Sequence, residues 1–99
     1  MSIKLFKSVD EQMKDLGFVK IHNEEDRESK YGVSYERESE FGYVQRIDIL
    51  HKESGNHLIQ SYQLGTNSDG LNNVVGITYQ EAKIIMKKFR QMKRKYGWK

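Results

Sequence analysis

The chain has 99 residues, of which 17 are lysine or arginine and 14 are aspartate or glutamate, and it contains neither cysteine nor proline. A chain of this length holds one modest hydrophobic core, so we assign residues 1–99 to a single domain. The lack of cysteine excludes disulfide bonds, thiolate zinc sites and a cysteine nucleophile. There is no long apolar run and no basic-then-apolar leader, which predicts a cytoplasmic protein with no membrane partner.

The charged residues are divided unevenly along the chain. Residues 1–81 carry 9 basic and 14 acidic groups, a net charge of −5, whereas residues 82–99 carry 8 basic groups and no acidic group. Such a division is typical of proteins that bind an anionic partner. It is also typical of a solvated helix whose last turns carry cations that complement the helix dipole.

The predicted elements begin with a short helix over residues 9–16. Ser8 and Glu11 have the spacing of a capping box, and Gly17 suits the left-handed residue that ends a helix. Alternating apolar residues, separated by turn residues, then predict strands. The four predicted strands span residues 18–22, 31–38, 43–51 and 57–63.

The alternation also predicts the register of the three longer strands, because a slip of one residue would turn every side chain to the wrong face. In this register Val33 pairs with Ile49, Ile49 pairs with Ile59, and His51 lies opposite His57. The core face then carries Val33, Tyr35, Ile47, Ile49 and Ile59. The opposite face, expected to be half exposed to water, carries Ser34, Glu36, Arg46, Asp48, Gln60 and Tyr62, with Val44, Leu50 and Leu58.

A second capping box, formed by Thr78 and Glu81, predicts a long helix from Tyr79 to about Tyr96. Its apolar stripe consists of Ala82, Ile85, Met86, Phe89, Met92 and Tyr96. We expect the stripe to cover the core face of the sheet, with Phe89 among the most buried side chains. The predicted fold class is therefore α+β: an antiparallel four-stranded meander with an N-terminal and a C-terminal helix packed on one face, α-β-β-β-β-α.

The C-terminal helix also carries a row of cations away from its apolar stripe. The row consists of Lys83, Lys87, Arg90 and Arg94 and is about 16 Å long, with Lys88 and Lys95 flanking it and Trp98 at its end. Cations beside an aromatic ring can follow a phosphate backbone and stack a base, so nucleic-acid binding through these residues is the alternative function. No base-reading motif accompanies the row, and a solvated helix face has the same pattern.

No set of residues predicts a catalytic or metal centre. His51 and His57 are expected to be neighbours at the mouth of a hairpin, but two imidazoles without a third defined ligand do not make a metal site. A triad of His51, Ser61 and Asp48 is disfavoured, because Asp48 points to the opposite face of the sheet. The loop after the last strand lacks the acidic positions of a calcium loop and the lysine of a phosphate loop. We therefore expect no cofactor and no enzyme activity.

The sequence favours a non-catalytic binding module. The candidate contact residues are Phe41 at a turn tip, Arg46 and Tyr62 on the outer sheet face, and Asn67, Asp69, Asn72 and Asn73 in an asparagine-rich loop. Tyrosine and arginine are enriched at binding hot spots, although Arg46 and Tyr62 could equally pack on one another as a cross-strand pair. The expected partner is a macromolecule, a protein rather than a nucleic acid, and a free sheet edge permits pairing into a homodimer.

Two stretches, residues 51–62 (HKESGNHLIQSY) and residues 72–81 (NNVVGITYQE), resemble small proteins encoded by phages and prophages of Gram-positive bacteria. The resemblance extends over roughly residues 5–95. It implies a small cytosolic accessory protein that binds a host or phage macromolecule, and it transfers no catalytic residue.

Overall fold

The computed structural model describes residues 7–65 and 73–99. The elements follow in the order α1 (Val9–Asp15), β1 (Val19–Lys20), β2 (Gly32–Glu38), β3 (Val44–Leu50), β4 (Leu58–Leu64) and α2 (Tyr79–Tyr96). The sheet has the strand order β1-β2-β3-β4, and every neighbouring pair is antiparallel. The predicted α+β fold and its element order are therefore confirmed.

Both helices begin at the predicted capping residues. The Ser8 hydroxyl accepts a hydrogen bond from the N–H of Glu11 at 3.1 Å. At α2 the capping is reciprocal: the Thr78 hydroxyl accepts from the N–H of Glu81 at 3.1 Å, and the Glu81 carboxylate accepts from the N–H of Thr78 at 2.8 Å. Helix α2 ends at Gly97, whose left-handed backbone (φ 68°) is a conformation that glycine adopts without strain.

The predicted strand register is also confirmed. Val33 lies opposite Ile49, Tyr35 opposite Ile47, and Ile49 opposite Ile59. Four of these side chains are buried: Val33, Tyr35, Ile47 and Ile49. They form the core together with Met13, Phe18, Ile85, Met92 and Trp98. Ile59, on the outermost strand, is exposed. The core therefore lies under β2 and β3 rather than under the whole sheet.

Helix α2 packs with a rotation that its apolar stripe did not predict. Its buried residues are Glu81, Ile85, Lys88 and Met92. The prediction that Phe89 is among the most buried side chains is wrong: Phe89 is only partly buried and lies beside the rings of His57 and Trp98. The physical reason is the ammonium of Lys88, which pairs with Asp10 of α1 and with Glu28 of the loop before β2. These ion pairs hold the side of α2 that carries Lys88 toward the protein interior.

The two edges of the sheet are protected to different extents. Strand β1 covers only two positions of β2. Along β4, the N–H of Gln63 donates to the carbonyl of Asn73 at 2.8 Å, and the N–H of Val75 donates to the carbonyl of Ser61 at 3.1 Å. Residues 73–75 thus cover the last part of β4, so any homodimer paired through this edge would have to use its first half.

Candidate binding surfaces

The outer face of the sheet carries a polar cluster centred on Asp48, which is only 5% exposed. One carboxylate oxygen accepts from the Ser34 hydroxyl at 2.6 Å and from Nε of Arg46 at 2.9 Å. The other accepts from the Gln60 amide at 2.9 Å and from the Tyr62 hydroxyl at 2.7 Å. Burial alone would raise the pKa of Asp48, but the four donors outweigh burial and hold this pKa below its ordinary value.

Arg46 and Tyr62, two of the candidate contact residues, lie directly opposite each other on β3 and β4. Besides Asp48, the Arg46 guanidinium contacts Asp26 at 3.1 Å. Burial and then the hydrogen bond to Asp48 raise the pKa of Tyr62 to about 12. Both side chains are thus engaged inside the molecule, as expected of a cross-strand pair that organises the sheet face.

Phe41 lies at the tip of the β2–β3 hairpin and is 79% exposed. Ser39 orders this tip: its hydroxyl accepts from the N–H groups of Phe41 and Tyr43 at 3.1 and 3.3 Å, and its own N–H donates to the Tyr43 carbonyl at 2.7 Å. Gly42 supplies the left-handed residue of the turn (φ 88°). The backbone of the turn is fixed while the aromatic ring projects into solvent.

A cavity of about 510 Å³ lies beside this tip, between the hairpin and the segment that leads into α2. Its lining combines apolar and charged side chains, among them Phe41, Tyr43, Val75, Glu38, Glu40 and Arg37. The Arg37 guanidinium contacts Glu81 at 2.7 Å and Gln45 at 2.8 Å, and it lies 4.1 Å from the centre of the Phe18 ring. These contacts hold the inner wall of the cavity in one arrangement.

The asparagine-rich loop contributes one described residue, Asn73, which is exposed and has its amide nitrogen 3.4 Å from the amide oxygen of Gln63. The other three loop candidates, Asn67, Asp69 and Asn72, lie outside the described residues.

The exposed face of α2 carries the predicted row of Lys83, Lys87, Arg90 and Arg94, with Lys93 also exposed. Lys88 and Lys95, which were expected to flank this row, are instead ion-paired with Glu28, each at 2.7 Å. The positive surface of the helix is therefore narrower than the sequence suggests.

Trp98 does not lie at the end of this row, because its ring is buried at 5% exposure. It stacks on His51 and His57 at centroid distances of 5.2 and 5.1 Å, and its indole N–H donates to the Lys30 carbonyl at 2.8 Å. The two histidines are neighbours, as expected, with ring centroids 5.0 Å apart. Within residues 7–65 and 73–99, no group of three or more histidine, aspartate or glutamate side chains could hold a metal ion.

A buried ionic network that no sequence pattern predicted surrounds Lys88, a side chain that is 1% exposed. Its ammonium donates to Glu28 at 2.7 Å, lies 3.0 Å from Asp10, and donates to Gln91 at 2.8 Å. The Lys20 ammonium bridges the same two carboxylates, at 2.8 Å from Asp10 and 3.0 Å from Glu28. The network therefore ties α1, β1 and the loop before β2 to α2.

Glu28 is the centre of this network, and it accepts hydrogen bonds from Lys20, Lys88, Lys95 and the Tyr96 hydroxyl. Burial would raise the pKa of Glu28, but the bonds from the lysines outweigh it and hold the pKa well below the ordinary value. Glu28 stands in a run of mixed charges without helical or strand periodicity, so no local pattern marks it.

No protein-family model, curated protein or solved structure matches this chain. In the part of the chain that the structure describes, no helix is both long and apolar enough to cross a membrane.

Proposed function

We propose that this protein is a non-catalytic binding module that contacts a protein partner through its hairpin surface, defined as Phe41, Tyr43, Val75, Glu38 and Glu40. The observation that carries the proposal is the position of Phe41: a large aromatic side chain, mostly exposed, on a turn whose backbone is already ordered.

Burying this ring against a partner would gain about 1.5–3 kcal/mol, the typical value for a large apolar side chain. Because Ser39 and Gly42 fix the turn before binding, little of that gain is lost in ordering the backbone. A rigid aromatic anchor beside a cavity is the arrangement found at many binding hot spots.

The charges around the anchor indicate the chemistry of the partner. Glu38, at the end of β2, and Glu40, in the turn just before Phe41, are both exposed and line the cavity. The matching surface would be an apolar pocket for the ring, bordered by lysine or arginine side chains. The cavity of about 510 Å³ beside Phe41 is in turn large enough to accept a side chain from the partner.

The state of the buried acidic groups supports a binding role over a catalytic one. Glu81 lines the cavity, but one of its carboxylate oxygens accepts from the N–H of Thr78 and the other accepts from Arg37. Asp48 and Glu28 are likewise fully engaged by donors within the fold. General acid–base work needs a titratable group that is free to exchange a proton with a substrate.

The test places a photoreactive benzoylphenylalanine at position 41 and, as a matched control, at Tyr31, which is an aromatic residue 68% exposed at a different site. After irradiation in the native host, we expect discrete protein adducts at position 41 that are absent at position 31. Excess unlabelled wild-type protein should suppress these adducts, whereas excess Phe41→Ala protein should not. Identical adducts at both positions, or none at position 41, would refute the proposal.

A further inference from the structure

A second concave surface, which shares no residue with the hairpin surface, lies between α1 and the C-terminal half of α2. It is a cavity of about 490 Å³ lined by Val9, Lys87, Arg90, Lys93 and Arg94, and we call it the basic cleft. Four of these five side chains are cations, and Lys83 continues the row one helical turn toward the start of α2.

The cations of α2 fall into two groups. Lys88 and Lys95 are neutralised by Glu28. The cations of the basic cleft, by contrast, form no ion pair with any acidic side chain among residues 7–65 and 73–99, and the Lys87 ammonium contacts only the neutral amide oxygen of Gln12, at 3.3 Å. Positive charge gathered in a concave surface without counter-charge focuses the electric field and attracts polyanions.

We infer that the basic cleft binds the phosphate backbone of a nucleic acid without regard to base sequence. The row from Lys83 to Arg94 is about 16 Å long at about 1.5 Å per residue, which matches the axial rise of about five nucleotides of one duplex strand at about 3.4 Å each. The arginines can bind phosphate oxygens through two parallel N–H groups, and the lysines act as point charges.

The composition of the cleft favours phosphate over an acidic protein segment. Protein interfaces have an apolar and aromatic centre from which lysine is depleted. Among residues 7–65 and 73–99, Val9 is the one apolar side chain that lines the cavity, and the other lining side chains there are lysine and arginine. Trp98 cannot supply a stacking platform, because it is buried between the histidine rings and the core. Contact with the backbone rather than with bases follows from this set of side chains.

The test measures fluorescence anisotropy of a labelled 20-base-pair duplex of random sequence, and of one of its single strands, with the full chain over a series of salt concentrations. With four to five phosphates contacted, the slope of log K against log salt for the duplex should be about −4, at about 0.9 per phosphate. With this slope, each phosphate contact raises the affinity for the duplex about fivefold between 1 M and 0.15 M salt.

The informative variant is Lys87→Gln/Lys93→Gln, which removes two cations from the cleft. Its matched control is Lys30→Gln/Lys52→Gln, which removes the same charge from two exposed lysines outside the cleft. We expect the cleft variant to bind roughly 30-fold more weakly at 0.15 M salt and to lose about 2 from the slope, while the control stays within about twofold of wild type. Circular dichroism should show that both variants are folded.

Three results would overturn the inference. Equal weakening in both variants would mean that only net charge matters, and absence of binding at 0.05 M salt would mean that the cations are merely solvated. Displacement of the duplex by polyglutamate at equal charge concentration would point to an acidic protein instead. Phe41→Ala should bind the duplex normally, so failure at the basic cleft is distinguishable from failure at the hairpin surface.

Discussion

Replacement of Lys88 by methionine removes a buried ammonium while keeping a flexible side chain of similar length. Lys88 is 1% exposed and contacts the carboxylates of both Glu28 and Asp10. After the substitution both carboxylates remain at the interface of α1 and α2, with one cationic partner fewer.

The magnitude follows from the contacts that remain. Breaking a buried ion pair by removing one partner typically costs about 3–5 kcal/mol, because a charge is left uncompensated. Here Glu28 keeps Lys20 and Lys95, and Asp10 keeps Lys20. We therefore expect Lys88→Met to cost about 3 kcal/mol, a large share of the roughly 5–15 kcal/mol that stabilises a small domain.

Urea unfolding followed by circular dichroism measures this loss, and Lys87→Met serves as control because Lys87 is its exposed neighbour on the same helix. The control should change the free energy of unfolding by less than about 0.5 kcal/mol. Adding Glu28→Gln completes a double-mutant cycle, for which we expect a coupling of about 1–3 kcal/mol between the two residues. A loss below about 1 kcal/mol for Lys88→Met would refute the inward rotation of α2.

Three further outcomes can be checked by the same titration. Gly32→Ala should cost more than about 2 kcal/mol, because a Cβ there would lie 2.3 Å from a carbonyl oxygen of β3 at φ 149°, whereas Gly76→Ala, in open space, should be nearly neutral. Met92→Ala should cost about 2–5 kcal/mol and Phe89→Ala less, and the reverse order would contradict the observed helix rotation. The pKa of Asp48 is lowered in the folded protein, so ionised Asp48 adds fully to the free energy of unfolding at pH values above its unfolded pKa of about 4. This stabilisation is lost as the pH falls through the pKa of Asp48 in the folded protein. Asp48→Asn should therefore make the free energy of unfolding fall less steeply with pH in the acid range.

Local patterns were sufficient to predict the sheet. The alternation of apolar and polar residues has a period of two, which leaves one register that keeps Val33, Ile47 and Ile49 on the same face. The capping residues Ser8 and Thr78 likewise act over three residues, and both helices begin there, although only Thr78 and Glu81 form the complete capping box. Features that depend on residues close together along the chain could therefore be predicted from the sequence alone.

The packing of α2 could not be predicted from local sequence patterns. The apolar stripe through Phe89 predicts a rotation in which every cation faces water. The observed rotation depends on Glu28, which is 60 residues away along the chain, and on Asp10 in α1. An ion pair between distant segments leaves no periodic trace in the sequence, so Lys88 could not be told apart from the lysines around it.

The candidate binding surfaces could be predicted from the sequence only in part. Phe41 was found because a turn tip is exposed in almost any fold. The shared contact of Arg46 and Tyr62 with Asp48 follows from three residues on one sheet face, yet the sequence does not say whether such residues face a partner or one another. The basic cleft needed α1 as its second wall, and Val9 has no marker of that role.

The bonds that hold α2 connect residues that are far apart along the chain. Arg37 and Glu81 are 44 residues apart, Glu28 and Lys88 are 60 apart, and Gln12 and Lys87 are 75 apart. The β2–β3–β4 meander, by contrast, closes through short turns, and closing a longer loop costs more entropy before any contact forms. We therefore expect the meander to form early in folding and α2 to dock after the rate-limiting barrier. Substitutions at Lys88 should accordingly speed unfolding and leave the folding rate almost unchanged, a division that stopped-flow kinetics would resolve.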